Sequence, residues 1–234
     1  MASAKSYPPP PLLPPQEPAI PATTQEQNSL VKLRYQGTSI IAECTPLECE
    51  NHNTFHLTLR RNALDHAIYL ALSHLTWLKR LIGGVRPVWL LPPQLILKKK
   101  KDGWESEFEH EIAQYIEHEN LQGRVLPIYY GRGSYDNIDG ILLSYCGTSL
   151  NERQDLTVDA LKKKLRWALS WLADRNLVHK NLTLGNVLYD GSKITIIDLE
   201  QTDKQKSGFN INAEVDSILY WFKFRQKALR EDTS

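Results

Sequence analysis

The residues with the most to offer chemically lie in one stretch, positions 177–201, LVHKNLTLGNVLYDGSKITIIDLEQ. Two side-chain amides, Asn181 and Asn186, precede the apolar run Val187-Leu188-Tyr189. Asp190-Gly191 follows, then Ile194 to Ile197, and the carboxylate of Asp198 comes directly after. An Asp-Gly pair between two short apolar runs is a hairpin signal. Antiparallel pairing of those runs brings the loop amides up to the carboxylate, and carboxylate and amide oxygens together suit a hard cation and the phosphates it carries.

The same residues resemble the protein-kinase pattern H-R-D-L-x-x-x-N followed by D-F-G. Here it reads His179-Lys180-Asn181-Leu182, three residues, Asn186, and then Asp198-Leu199-Glu200. The resemblance implies that Asn186 and Asp198 hold magnesium and that position 181 is where the catalytic base would stand. Asn181 occupies that position, and an amide does not accept a proton near neutral pH as a carboxylate does. Phosphotransfer is therefore expected to be weak or lost.

Other elements must bring partners to this stretch. Gln94 to Lys98 (QLILK) is a short apolar strand ending in lysine, similar to the kinase V-A-I-K strand whose lysine pairs with the α and β phosphates. Lys99, Lys100 and Lys101 extend it as an exposed basic end. Positions 105–117 have helical periodicity with Phe108, Ile112, Tyr115 and Ile116 on one face, and Glu111 at its edge is placed for an ion pair with Lys98. Glu107 is the alternate. Val31 to Tyr35 and Ser39 to Ala42 read as strands joined through Gln36-Gly37-Thr38, where the resemblance implies a phosphate loop, although a single glycine gives little close backbone approach.

Further runs complete the scaffold. Val125 to Tyr130 and Gly140 to Ser144 read as strands, and the resemblance makes Tyr145-Cys146-Gly147 the hinge where adenine binds. Thr157 caps a helix whose buried face carries Leu161, Leu165, Ala168, Leu169 and Leu172, with Trp167 and Trp171 packing beside them. A last helix begins near Glu214. It is expected to bury Ile218, Leu219, Trp221 and Phe222, and by the resemblance Asp216 braces the catalytic loop. Positions 63–82 form an apolar-faced helix for the core or an inter-lobe contact, with a membrane-surface helix as the rival reading; Gly83-Gly84 ends it.

Composition bounds the rest. With 234 residues, 28 Lys plus Arg and 27 Asp plus Glu, the chain is long enough for one self-sufficient core, and its balance gives no electrostatic reason to expect nucleic acid or an anionic membrane. Three cysteines and no secretory leader pattern fit a reducing cytoplasm or nucleus. Cys44, Cys49, His52 and His56 match no common zinc spacing and are read as reduced thiols and surface histidines on a loop. Residues 1–28, with SYPPPPLLPPQEPAIP, read as a disordered Pro-rich tail or a ligand for a proline-recognising domain.

Trp104, Glu107, Phe108 and Glu111 (W-x-x-E-F-x-x-E), Leu121-Gln122-Gly123, Pro127, Tyr130-Gly131 and Ile197-Asp198-Leu199-Glu200 also resemble an uncharacterised group of fungal kinase-like proteins. The implied fold is a compact bilobal protein-kinase-like α+β domain, with an N-lobe over about 29–146 and a truncated C-lobe over 147–234. The chain ends where a kinase builds its activation segment and A-P-E element, so no peptide platform is expected. The implied function is a pseudokinase that binds ATP and magnesium or a protein partner. The alternative is a small atypical phosphotransferase acting on a small molecule or one docked protein. The implied site comprises Lys98, Asn181 and Asp198 for catalysis, Lys98, Glu111, Tyr145 and Cys146 for nucleotide, and Asn186 and Asp198 for the metal.

Overall fold

The computed structural model describes residues 29–47, 53–74, 87–204 and 210–231. The Pro-rich segment, Cys49, His52, and the second half of the 63–82 helix with its terminal glycines lie outside those residues. No helix among the described residues is long and apolar enough to cross a membrane.

Six strands close into an antiparallel barrel: β1 (Ser29–Tyr35), β2 (Thr38–Pro46), β3 (Thr54–Leu59), β4 (Gln94–Lys99), β5 (Tyr129–Tyr135) and β6 (Ile138–Ser144), in the order β1-β2-β3-β4-β6-β5. Strict alternation along these strands sends one set of side chains inward. Val31, Leu33 and Tyr35, Ile40, Ala42 and Cys44, Phe55, Leu57 and Leu59, and Leu95, Leu97 and Leu142 fill the interior. Two tight turns help to set the register. Gln36-Gly37 joins β1 to β2 and Asp136-Asn137 joins β5 to β6, each with positive φ at both central residues.

The expected bilobal kinase-like fold is not what forms. β1 pairs with β2 along its whole length and also with β5, through Arg34 opposite Ser134 and Tyr35 opposite Gly133, so the sheet closes on itself. Closure removes the free edges that an open sheet would leave. Two strand assignments also change. Positions 54–59, which include His56 expected on a loop, form β3, which lies between β2 and β4 in the barrel. The strand expected from Val125 begins only at Tyr129; Val125 instead uses its carbonyl to accept from Ile196 N–H at 2.8 Å.

Outside the barrel lie helices α1 (Ala63–His74), α2 (Glu105–Glu117), α3 (Val158–Ala173) and α4 (Ile211–Glu231), with the short strands β7 (Thr148–Ser149), β8 (Leu177–His179), β9 (Val187–Tyr189), β10 (Ile194–Ile196) and β11 (Thr202–Lys204). β9 lies between β10 and β7, and β8 pairs with β11. Thr157 caps α3 by accepting from Ala160 N–H at 3.3 Å. The core of this half takes Leu161, Leu165, Ala168, Leu169 and Leu172 from α3 and Val215, Ile218, Leu219 and Phe222 from α4. It is continuous with Phe108, Ile112 and Tyr115 of α2 and with Ile141 and Leu143 on the outer face of β6. The barrel wall is thus buried on both sides where α2 lies.

Several expected core positions point outward instead. Ile116, Trp167 and Trp221 are exposed, although the two tryptophans of α3 still meet edge to face with centroids 6.1 Å apart. Helical periodicity places a residue on a face within tens of degrees, and the width of the neighbouring element decides whether the margin of that face is covered.

Candidate functional site

Lys98 follows directly from strand parity. Leu95 and Leu97 point into the barrel, so Ile96 and Lys98 point out of it, toward α2. On α2, Glu111 sits one turn from Phe108 and Tyr115 and is fully buried. Lys98 Nζ donates to Glu111 Oε2 at 2.7 Å. The other Glu111 oxygen accepts from Leu199 N–H at 3.3 Å, so the buried carboxylate is satisfied on both sides. Glu107, the alternate partner, is on the surface, where it accepts from the Ser106 hydroxyl.

Asp198 arrives from the other half of the molecule. The Asp190-Gly191 hairpin forms as expected, with Asp190 Oδ1 accepting from Ser192 N–H and Lys193 N–H, both at 2.8 Å. After β10 the chain turns sharply at Asp198, whose φ of 65° and ψ of 64° are left-handed, a conformation aspartate tolerates better than most residues. That turn buries Leu199 and presents the Asp198 carboxylate to Lys98 Nζ at 2.6 Å. The following turn brings a third carboxylate, Glu200 Oε1, to the same ammonium at 2.8 Å. The ammonium thus donates to two carboxylates and is ion-paired with the third.

The electrostatics follow from this crowding. Burial works against the Lys98 ammonium, but Glu111, Asp198 and Glu200 outweigh it and raise its pKa above the lysine range. Burial pushes the Glu111 carboxyl up while Lys98 pulls it down. For Asp198 burial is overcome by Lys98, and its carboxyl lies below the ordinary aspartate range. Lys101 adds a second, looser cation, 3.9 Å from Glu200.

These groups edge a cavity of about 310 Å³. Leu47, Ile96, Pro127, Leu143, Leu188 and Ile197 give it apolar walls, and Lys98, Glu111, Asn186 and Asp198 converge at its polar end. An apolar slot with a few convergent polar groups is the usual form of a small-molecule site. Asn186 Nδ2 donates to the Asn181 carbonyl at 2.9 Å, which leaves the amide oxygen of Asn186 as its free acceptor. A carboxylate and an amide oxygen on one cavity wall are the hard donors that magnesium takes, so the residues fit that ion. Gly147 also lines the cavity. It has φ of 92°, and a Cβ there would lie 2.3 Å from the Tyr189 carbonyl, so only glycine lets the chain pass so close to β9.

Other expected site residues fall elsewhere. Tyr145 lines the cavity, its ring 4.9 Å from that of His56, but Cys146 turns into the core beside Ser144 and does not line it. Asn181 has an exposed side chain and meets the cavity only through Asn186. Gln36-Gly37 borders a separate shallow depression with Arg34 and Arg132; besides β4 and β6, the barrel lends the cavity Leu47, Asn53 and Thr54, at the two ends of the β2–β3 connection. Asp216 is exposed, 3.8 Å from Lys162, and does not brace the loop at 179–186. That loop is held by His179, whose Nε2 lies 2.9 Å from the Ile197 carbonyl, and by Lys180, paired with Asp203 at 2.8 Å. Glu200 was the residue without a role at the level of sequence. Its place in the Ile197-Asp198-Leu199-Glu200 element marked it without giving it a task.

His179 also yields a pH dependence. Burial lowers its pKa, although the Ile197 carbonyl and Asp198 favour the charged form; burial lowers those of His56 and His118 in the same way. The unfolded chain then binds more protons below the ordinary histidine value of about 6.5, so stability falls as pH drops through and below that value. Chemical denaturation at pH 7.5, 6.5 and 5.5 is expected to give a falling unfolding free energy; a flat profile contradicts buried neutral histidines.

The barrel and its cleft define an α+β protein in which one buried lysine joins three carboxylates at the end of a small-molecule-sized cavity. No protein-family model matches the sequence, and no curated protein matches it significantly.

Proposed function

We propose that the cavity binds a nucleoside triphosphate, ATP, together with magnesium, and that the chain works chiefly as a nucleotide-dependent binding protein with weak or absent phosphotransfer. The observation that carries this reading is the junction of Lys98, Glu111 and Asp198 at the polar end of an apolar slot. Glu111 fixes the ammonium from one side, and Asp198 offers a carboxylate held ionised by Lys98. The apolar walls accept a flat base. Asn186 and Asp198 would hold the metal, whose contribution when bound is to neutralise phosphate charge.

Asn181 is the reason for placing binding above catalysis. An amide at the base position leaves the nucleophile without a proton acceptor, at a cost of about 10²- to 10⁴-fold. Activity on a small molecule or a docked protein remains the rival reading, because charge stabilisation and positioning carry most of phosphoryl transfer. The cytosol or nucleus is the proposed setting, supported by Cys44 and Cys146 as buried free thiols.

The direct test is thermal unfolding with and without millimolar ATP and magnesium. Ligand that binds only the folded state raises the melting temperature, and saturation at about 100 times Kd adds about 2.7 kcal/mol. The wild type is expected to show that rise and Asp198→Ala to lose it. No shift in the wild type at millimolar ATP refutes the nucleotide reading.

A further inference from the structure

The lysine at the heart of the cavity is ringed by carboxylates. It donates to Glu111 and Asp198 at 2.7 and 2.6 Å, and its ammonium lies 2.8 Å from Glu200 Oε1 in an ion pair. The three carboxylates do not have equal claims on it. Glu111 is anchored from behind by Leu199 N–H and fixes the position of Lys98. Asp198 lines the cavity and is a donor for a cation. Glu200 is not part of the cavity wall, yet its side chain is only 7% exposed and it holds Lys98 and Lys101 at once. Its carboxylate therefore takes up both cations that approach the polar end. With all groups ionised, two ammonium groups face three carboxylates, and the cluster carries one net negative charge.

That charge has a consequence for anions. A bare triphosphate approaching this end meets a lysine already ion-paired with three carboxylates, and a carboxylate excess that repels it. A triphosphate that arrives with a divalent cation brings the positive charge the cluster lacks, and the cation engages Asp198 and frees a lysine donor.

Resting on the nucleotide reading above, we infer that Glu200 is a specificity-determining residue: by occupying Lys98 and Lys101 it makes the cavity select metal-bound nucleotide over the free anion. Glu200→Gln keeps the volume and removes the charge. The polar end then has equal numbers of cations and carboxylates, and Lys98 has a donor held only by a neutral amide.

Calorimetric titration of the full chain with ATP in EDTA, and with ATP plus magnesium, tests this. The wild type is expected to bind ATP at least about tenfold more weakly in EDTA than with magnesium. Glu200→Gln is expected to tighten binding in EDTA by about tenfold or more, a modest part of what a like charge costs at close range. Glu109→Gln serves as the control for net charge. Glu109 pairs with Arg132 on the exposed side of α2, and its loss is expected to change neither titration. Equal EDTA affinities for the wild type and Glu200→Gln, with magnesium-ATP still bound by both, overturn the inference and leave the nucleotide reading intact. Weaker binding by Glu200→Gln in EDTA also overturns it, because Glu200 then positions Lys98 instead of masking it. No binding by either protein in either buffer refutes the nucleotide reading, and the inference with it. The wild-type comparison needs no variant to fold: equal affinity with and without magnesium is enough to refute the role given to Glu200.

Discussion

Lys98→Met is expected to lower the unfolding free energy by about 3–5 kcal/mol, the range for removing one partner of a buried ion pair. For a chain of this size the melting temperature falls by roughly 10 °C. The cause is the group left behind. Glu111 is fully buried, its side chain has no access to water, and Lys98 is its counter-ion. Without the ammonium, the carboxyl is buried either as an unpaired charge or as a neutral acid. Protonation is the cheaper course, so the folded pKa of Glu111 rises above its unfolded value. A carboxyl shifted in that direction favours the folded state below the unfolded pKa, and the benefit is lost as pH rises through the folded pKa. The destabilisation should therefore be greatest at neutral pH and shrink toward pH 5. Denaturant titrations of both proteins at several pH values measure it. Adding Glu111→Leu to Lys98→Met is expected to restore a large part of the loss, because the one fully buried carboxylate of the cluster is then gone. A Lys98→Met protein within 1 kcal/mol of the wild type, a margin taken from the usual scatter of surface substitutions, would mean that the cluster carries no buried charge.

The second large effect is a gain. Asn181→Asp is expected to raise ATP hydrolysis or phosphoryl transfer at least about tenfold, a small part of what a general base supplies. The substitution hardly changes side-chain volume. It places a proton acceptor on an exposed side chain whose backbone carbonyl is tied at 2.9 Å to Asn186, a residue of the cavity. The gain should require Asp198, since a base has nothing to act on unless the phosphates are held in place. Single-turnover assays of Asn181→Asp, Asp198→Ala and the double variant separate these terms. If wild type and Asn181→Asp both bind nucleotide and neither turns it over, a binding role remains and the base is not the limiting defect. If the wild type already matches Asn181→Asp, the binding-only reading is wrong and another group positions the nucleophile.

Much of the site was legible from local pattern. Period-two alternation put Lys98 on the opposite face from Leu95 and Leu97, and helical period put Glu111 on the inner face of α2 with Phe108 and Tyr115. The Asp-Gly turn fixed the hairpin that carries Asp198, and Thr157 marked the start of α3. Each of these follows from interactions between residues close in sequence, where backbone geometry leaves few choices.

Tertiary structure alone decided which distant elements meet. Alternation assigns β1 a buried face but not a neighbour, so its pairing with β5 across about a hundred residues of chain, and with it the closed barrel in place of a bilobal kinase-like fold, depended on long-range closure. The Gln36-Gly37 turn lies away from the cavity, and Leu47, Asn53 and Thr54 at the ends of β2 and β3 line it instead. Cys146 shares its segment with Tyr145, yet one turns into the core and the other to the cavity because adjacent side chains in extended chain point to opposite faces. Glu200 shows the difference most plainly. Its type and position announce only an acidic residue near Asp198; its hold on Lys98, 102 positions earlier in the numbering, exists because the left-handed turn at Asp198 folds the chain back on the barrel wall.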